Sequence, residues 1–253
     1  MKIIHGMAAV AFLGAAVALQ AQAPAAAEST PTADEIVAKH IEAIGGKAAI
    51  SQVKSLTIES STSVMGNDAP TVTTVVDGVG YKNETDFNGT KIVQCYNDKG
   101  GWMVNPMAGA SDPTPMPEDQ YNQGKGQIYV GGPLYDYAAK GSKVELMGKD
   151  GNAYKIKLTS KENAETTFLI DGTSYLITAA MGKAKMQDQD VDITTKFSDY
   201  RKTDAGYMIP YAMDIDLGQF QLSVAVKKVE VNKTIDPAVF QMPKAAEAPK
   251  PAM

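Results

Sequence analysis

The order of apolar and polar residues begins with an apolar leader. After Met1-Lys2, an apolar stretch rich in Ala, Val and Leu runs from Ile3 to Leu19 and gives way to small residues. A short positive segment, an apolar segment and a small-residue exit are the order of a secretory signal peptide. The sequence therefore predicts a signal peptide over residues 1–27, with an uncleaved membrane anchor as the alternative interpretation.

One amphipathic helix follows the leader. Thr32 or Asp34 is a suitable N-cap, and Gly45-Gly46 is a suitable end. Between them the apolar residues recur at the spacing of one helix face, at Ile36, Val37, Ile41 and Ile44. A helix this short depends on packing against another element for its stability.

Beyond the helix, apolar and polar residues alternate in short segments separated by turn residues. The clearest alternation lies in Tyr154–Leu158, Val191–Phe197 and Tyr207–Ile215, and each segment predicts a strand with one buried face. Hairpin-type turn residues occur at Asn88-Gly89, Asp150-Gly151-Asn152, Asp171-Gly172 and Asp204-Ala205-Gly206. Strands joined by such turns predict an antiparallel meander.

The last predicted strand changes phase. Leu222, Val224 and Val226 alternate with polar or small residues, but the alternation skips one place at Lys227-Lys228 before it resumes at Val229. This pattern predicts a β-bulge, which helps a sheet to curve. A curved antiparallel sheet with helices over its concave face encloses a space that either side chains or a ligand can fill.

The segment from Asn105 to Lys140 departs from the strand pattern. It contains five prolines and five glycines, and we interpret it as a long loop with one short helix and a second short helix around Leu134–Ala139. Long insertions of this kind in compact domains often form lids or binding elements. The tail over residues 245–253 is low-complexity Ala, Pro and Lys, and we expect it to be disordered.

The net charge and the scarcity of arginine, histidine and cysteine exclude several classes of function. The net charge of -5 and a single arginine, Arg201, argue against a nucleic-acid partner. His40 is the only histidine after the leader and Cys95 the only cysteine, so no usual zinc site or Cys–His nucleophile can be assembled, and Cys95 is interpreted as a buried thiol. Asp188, Asp190 and Asp192 lack the glycine of a calcium loop. We expect a non-enzyme with no metal and no cofactor.

The candidate binding residues lie in and beside the proline-rich segment. Trp102, the sole tryptophan, has two interpretations: a core aromatic at the end of a strand, or part of the mouth of an apolar cavity. In the second interpretation, adaptable side chains line the mouth and lid of the cavity together with it, namely Met103, Met107, Met116, Tyr121 and Leu134.

Several segments resemble a known family when taken in order. They are the helix at residues 33–46, the strand at 53–58, Gly101-Trp102-Met103-Val104-Asn105-Pro106, the two segments at 197–202 and 206–210, and the ending at 229–243 with its Asn-Lys-Thr-Ile-Asp-Pro-Ala-Val-Phe-Gln-Met-Pro. Together they resemble the LolA-like outer-membrane lipoprotein-sorting proteins. Arg201 lies late in the chain and is not equated with the gating arginine of the family's carriers.

The resemblance implies an unclosed, strongly curved antiparallel β-barrel with a helical lid over an apolar cavity, formed here by one domain over residues 28–244. It further implies a periplasmic carrier or sensor whose partners are the acyl chains of lipoproteins or other lipids, with an envelope membrane protein as a further candidate partner. The alternative is an envelope interaction or structural module with a packed core and no lipid ligand.

Overall fold

The computed structural model describes residues 30–64, 66–186, 189–218 and 220–243. The predicted signal peptide over residues 1–27, the tail over 245–253 and Asp188 lie outside the described residues. The following description concerns the compact unit that begins at Pro31.

Helices are short and few in the described part of the chain. The α-helices are α1 (Ala33–Ala43), α2 (Gly46–Gln52) and α3 (Glu118–Gly124). Single 3₁₀ turns cover Pro106–Ala108, Lys125–Ile128 and Pro237–Phe240. The strands of the first half are β1 (Ser55–Val64), β2 (Asn67–Val76), β3 (Gly80–Phe87), β4 (Thr90–Asn97), β5 (Gly101–Asn105) and β6 (Ala110–Pro115). Those of the second half are β7 (Lys143–Asp150), β8 (Ala153–Thr159), β9 (Glu165–Asp171), β10 (Ile177–Met186), β11 (Gln189–Lys202), β12 (Met208–Asp216) and β13 (Gln221–Val231).

All these strands form one antiparallel sheet in the order β6-β5-β4-β3-β2-β1-β13-β12-β11-β10-β9-β8-β7. Two meanders, β1–β6 and β7–β13, meet where the first strand pairs with the last. Within the described residues, the edge strands β6 and β7 do not pair with each other, so the sheet is open. The predicted mainly β fold, an unclosed antiparallel sheet with a few short helices, is confirmed.

Helix α1 forms as its sequence predicts. The Thr32 hydroxyl accepts a hydrogen bond from the Glu35 N–H at 3.2 Å, and the Glu35 carboxylate accepts one from the Thr32 N–H at 2.8 Å, which completes a capping box. The apolar stripe of Ile36, Val37 and Ile41 is buried against the sheet. Each such side chain contributes about 1.5–3 kcal/mol by burial.

The sheet curves around α1. Val75 on β2 and Tyr154 on β8 belong to the same buried cluster as the α1 stripe. Seven strand spacings separate β2 from β8, which is about 34 Å in a flat sheet. Since an 11-residue helix is only about 16 Å long, the sheet must bend for both strands to reach one core. We call the face that packs against α1 the inner face and the opposite face the outer face.

The C-terminal segment covers part of the outer face. Phe240 is fully buried there against Val93, Cys95 and Trp102. Its carbonyl oxygen accepts hydrogen bonds from the Trp102 indole N–H at 3.0 Å and from the Asn97 side-chain amide at 3.1 Å. Cys95 is fully buried, which confirms its interpretation as a buried thiol, and this burial raises the pKa of the thiol to about 12.

The structure corrects two local predictions and adds a helix next to a third. The proline-rich segment contains an edge strand, β6, because an edge position tolerates Pro113 and Pro115. The predicted end of the first helix at Gly45-Gly46 is confirmed, but Gly46, at a φ of 77°, also starts α2, which was not predicted. The predicted helix at Leu134–Ala139 is a series of turns, since Asp136 has a positive φ of 47° that a helix does not accommodate.

Candidate functional site

The segment between the two edge strands forms a cover over the inner face. Residues 116–142, which we call the lid segment, connect β6 to β7. Its middle is fixed by two hydrogen bonds to Val130: the Tyr207 hydroxyl donates to the Val130 carbonyl at 2.8 Å, and the Asp77 carboxylate accepts from the Val130 N–H at 3.1 Å. Because Tyr207 and Asp77 lie on opposite meanders, the lid segment joins the two halves of the sheet.

Lys140 holds the end of the lid segment in its fold. Its Nζ donates to the carbonyls of Gly132 at 3.1 Å and Tyr135 at 2.6 Å, and it lies 4.1 Å from the centre of the Tyr129 ring. Burial lowers the pKa of the Lys140 ammonium to about 8, an effect that the nearby Asp77 carboxylate opposes. The carbonyls and the aromatic face are the groups that stabilise a buried ammonium.

A groove separates the lid segment from α1. It has a volume of about 580 Å³ and an apolar floor that includes Val37, Ile41 and Leu134. Its rim is charged, and Lys47 and Asp136 form an ion pair at 2.9 Å across it. The Tyr137 hydroxyl also donates to the Asp34 carboxylate and so connects the lid segment to the start of α1.

The inner face of the last three strands is mostly apolar and, away from α1, only partly covered. We call six of its apolar side chains the apolar strip: Phe197, Met213, Ile215, Leu222, Val224 and Val226. All six are partly exposed, whereas the inner-face residues Ile156 and Ile170 near α1 are fully buried. The alternate, outer-face residues in this part of the sheet are exposed and mostly polar, as Lys196, Asp214 and Ser223 illustrate.

The bulge predicted in β13 keeps this strip on one face. Val229 pairs with Ile58, Lys228 with Glu59, and Val226 with Ser60, so that Lys227 is the extra residue. The register shift confirms the predicted bulge. Since Ile58 and Ser60 lie on the same face of β1, the bulge returns Val226 to the inner face despite the change of phase in the sequence.

The candidate residues from the sequence fall into separate places. Trp102 is 4% exposed on the outer face, while its neighbour Met103 lies on the inner face, because successive residues of a strand point to opposite sides. Met103 packs with Met116 and Tyr121 in a small aromatic cluster. The two remaining candidates do not belong to that cluster. Met107 is 63% exposed, and Leu134 is buried in the main core at the floor of the groove.

The apolar strip was not among the candidate residues, although its strands were predicted. The alternation in Val191–Phe197 and Tyr207–Ile215 indicated one apolar face per strand. The strip could have been predicted from the small number of elements available to cover the sheet. One short helix and one lid segment are too little to bury the apolar faces of so many strands. Within the described residues, no helix combines the length and the hydropathy required to cross a bilayer.

Comparison with solved structures supports the architecture. A LolA superfamily protein from Nitrosomonas europaea superposes with a TM-score of 0.56 at 11% sequence identity, over 84% of this chain and 98% of that chain. The chain has the LolA-like fold. A DUF1329 family protein from Desulfovibrio piger gives a TM-score of 0.55 at 14% identity, over 84% of this chain and 98% of that one.

A third solved structure is described as an outer membrane lipoprotein-sorting protein domain from Vibrio parahaemolyticus. It gives a TM-score of 0.50 at 11% identity, over 82% of this chain and 95% of that chain. No protein-family model matches the sequence, and no curated protein matches it. At these identities the similarity establishes the fold, and the function has to be argued from the site.

Proposed function

We propose that this protein is an exported, non-catalytic carrier or sensor of the bacterial periplasm that binds lipid acyl chains on the inner face of its curved sheet. The observation that carries the proposal is the apolar strip, whose side chains are partly exposed on a face that elsewhere forms the core. An apolar surface left partly open inside a concave sheet is a typical place for an apolar ligand. The solved lipoprotein-sorting domain with this fold supports the same class of ligand.

Binding would be driven by removal of the chain and the strip from water. Each methylene buried contributes about 0.8 kcal/mol, so no covalent step is needed to hold an acyl chain. Met213 and Phe197 are suited to a flexible chain, because Met adapts to irregular apolar shapes and an aromatic ring offers a large apolar area. Entry and release would require movement of the lid segment, whose closed form depends on Lys140 and on the bonds to Val130.

The alternative of an envelope interaction module has one observation in its favour. β7 is an edge strand, and Met147 on it is 51% exposed. A partner strand could add to such an edge. The register of β7 is broken between Leu146 and Gly148, however, and a bulge on an edge opposes strand addition. We therefore prefer the carrier.

The deciding experiment is mass spectrometry of the protein purified from periplasm without detergent, under native and then denaturing conditions. A stoichiometric acyl species that leaves on unfolding is the expected result. A ligand-free mass that stays unchanged after incubation with a diacylated lipopeptide would contradict the carrier and favour the interaction module.

A further inference from the structure

The inner face changes character at the boundary between β13 and β1. Val224 of the apolar strip pairs with Thr62 on β1, and Val226 pairs with Ser60. From Thr62 the polar side chains continue across the next two strands. We call the following residues the hydroxyl ladder: Thr62, Thr71, Thr73, Asn83 and Thr85.

Hydrogen bonds connect the ladder across three strands. The hydroxyls of Thr62 and Thr71 are 2.8 Å apart, and those of Thr71 and Thr85 are 3.0 Å apart. The Asn83 side-chain amide donates to the Thr73 hydroxyl at 2.8 Å. Each hydroxyl can donate or accept, so the chain of hydrogen bonds can run in either direction and present either role at its ends.

The register places the ladder on the inner face. Val75 of the main core lies on that face of β2, and Thr73 and Thr71 follow it at steps of two residues. Thr71 pairs with Thr85 on β3 and with Ser60 on β1. Thus the apolar strip and the hydroxyl ladder are adjoining halves of one surface.

A purely structural role of the hydroxyl ladder explains why its threonines pair across strands, but it does not explain why they lie on the inner face. Cross-strand Thr pairs do stabilise sheets. Here, however, Thr71 is 4% exposed and Ser60 is 6% exposed, on a face where an apolar side chain would add to the core. Burial of a hydroxyl has a cost that its hydrogen bonds only offset. An uncharged polar group on the ligand provides a reason for that arrangement.

The surface is also uncharged. At the described inner-face positions of β1, β2 and β3, no side chain carries a formal charge. A carboxylate brought onto this surface would lose water without gaining a cation, which is unfavourable. An ester, an amide or a hydroxyl would instead find both donors and acceptors.

We propose that the strip and the ladder together select an amphiphile with an uncharged hydrogen-bonding group next to its acyl chain, such as a glyceryl ester, over a free fatty acid. This inference rests on the proposed function, since it names the ligand class of the same surface. The acyl chain lies on the apolar strip, and the ester and hydroxyl groups bond to Thr62 and Thr85 at the two ends of the Thr71 contacts.

The test compares monodecanoin with decanoate at pH 7 by calorimetry, using the full chain in its wild-type form and as Thr62→Val and Thr85→Val. The wild type is expected to bind monodecanoin more tightly than decanoate. Each valine variant should weaken monodecanoin by about three- to tenfold, the effect of one lost hydrogen bond, and leave decanoate unchanged. Thr62→Ser keeps the hydroxyl that Thr62→Val removes, so it should keep the wild-type affinity for monodecanoin.

The matched control is Thr74→Val, on the same strand as Thr71 but on the outer face, which should alter neither ligand. Equal affinity of the wild type for the two ligands, or valine variants that keep the preference, would overturn the selection but leave acyl binding standing. Failure of both ligands to bind would overturn the proposed function and this inference together.

A further comparison distinguishes two kinds of ligand that carry the same glyceryl ester. A diacylated lipopeptide carries a glyceryl ester attached to a peptide, whereas monodecanoin is a free glycerolipid. If both respond to Thr62→Val, the glyceryl group is the feature recognised, and the tighter of the two identifies the source. A lipopeptide that binds without any dependence on Thr62 and Thr85 counts against the ladder.

Discussion

Met213 on β12 lies directly opposite Phe197 on β11, and both side chains are on the inner face, partly exposed. Met213 is also opposite Val224 on β13, so it occupies the middle of the apolar strip. A charge at this position would be placed where the proposed acyl chain lies. The neighbouring residue, Ala212, points to the outer face of the same strand and provides a matched control.

Met213→Glu should therefore abolish binding of an acyl ligand while the protein stays folded. We expect at least a tenfold loss of monodecanoin affinity, about 1.4 kcal/mol, because the carboxylate would have to lose water as the chain binds. Ala212→Glu should bind as the wild type does. Calorimetry measures both, and circular dichroism checks the fold. Equal affinities in the two variants would show that the strip is not the binding surface.

Chain length gives a second, independent prediction. If the acyl chain is buried along the strip, each added methylene should tighten binding by about fourfold, the equivalent of about 0.8 kcal/mol. A series of monoacylglycerols from eight to twelve carbons, about the span of a few strands, tests this below micelle-forming concentrations. An affinity independent of chain length would indicate recognition of the head group alone.

The lid segment is expected to loosen when Lys140 is changed. Lys140→Met keeps the apolar stem but leaves the carbonyls of Gly132 and Tyr135 without their donor, at a cost of about 1–3 kcal/mol. Amide hydrogen exchange should rise in residues 130–142. Lys143→Met, at the exposed start of β7, is the control and should leave exchange unchanged. Unaltered exchange in Lys140→Met would mean that the other contacts of the lid segment suffice.

The elements that the sequence predicted well are those determined locally. Helix α1 has its cap at Thr32 and its stripe of buried isoleucines within one short stretch, and the bulge at Lys227 is visible as a change of phase. The alternating strands and their turns follow from the same short-range rules. Local rules of this kind also identified the open antiparallel fold together with the family resemblance.

The candidate site was harder to predict, for a physical reason. Trp102 and Met103 were grouped because they are adjacent in sequence, yet adjacency in a strand places side chains on opposite faces. The contact between Thr62 and Val224 joins residues far apart in the chain, and it depends on which strand closes the sheet. Which part of an apolar face stays uncovered depends on where the lid segment crosses, and a sequence pattern does not contain that information.

The stability of the protein should fall in mild acid because of His40. Burial lowers the pKa of the His40 imidazole from 6.5, and its hydrogen bond from Nδ1 to the Tyr175 carbonyl, at 2.9 Å, only partly opposes this. The folded state thus prefers the neutral ring. The contribution of His40 to the free energy of unfolding is fully present above pH 6.5. It is lost as the pH falls from 6.5 through the lowered pKa of the folded state, because the unfolded chain binds the proton more readily.

Urea unfolding at pH 7.5 and at pH 5.5 measures this effect. The free energy of unfolding of the wild type should decrease between the two pH values, and the decrease should be smaller in His40→Gln, which has no titrating ring. Carboxylates remain largely ionised in this window, so they contribute little to the difference. An equal decrease in the two proteins would assign the acid sensitivity to another group.

The C-terminal segment is predicted to protect Cys95 from solvent. The thiol is fully buried beneath Phe240, and its Sγ lies 3.4 Å from the Phe240 carbonyl. Phe240→Ala removes a buried aromatic side chain and should destabilise the protein by about 3–5 kcal/mol. The same change opens the outer face over β4, so maleimide labelling of Cys95 without denaturant should become fast, whereas the wild type should label only on unfolding.

Val239→Ala, which alters a side chain that is 39% exposed in the same turn, should label as slowly as the wild type. Rapid labelling of the wild type would show that the segment opens without mutation, and the Trp102 bond to the Phe240 carbonyl would then be too weak to hold it closed.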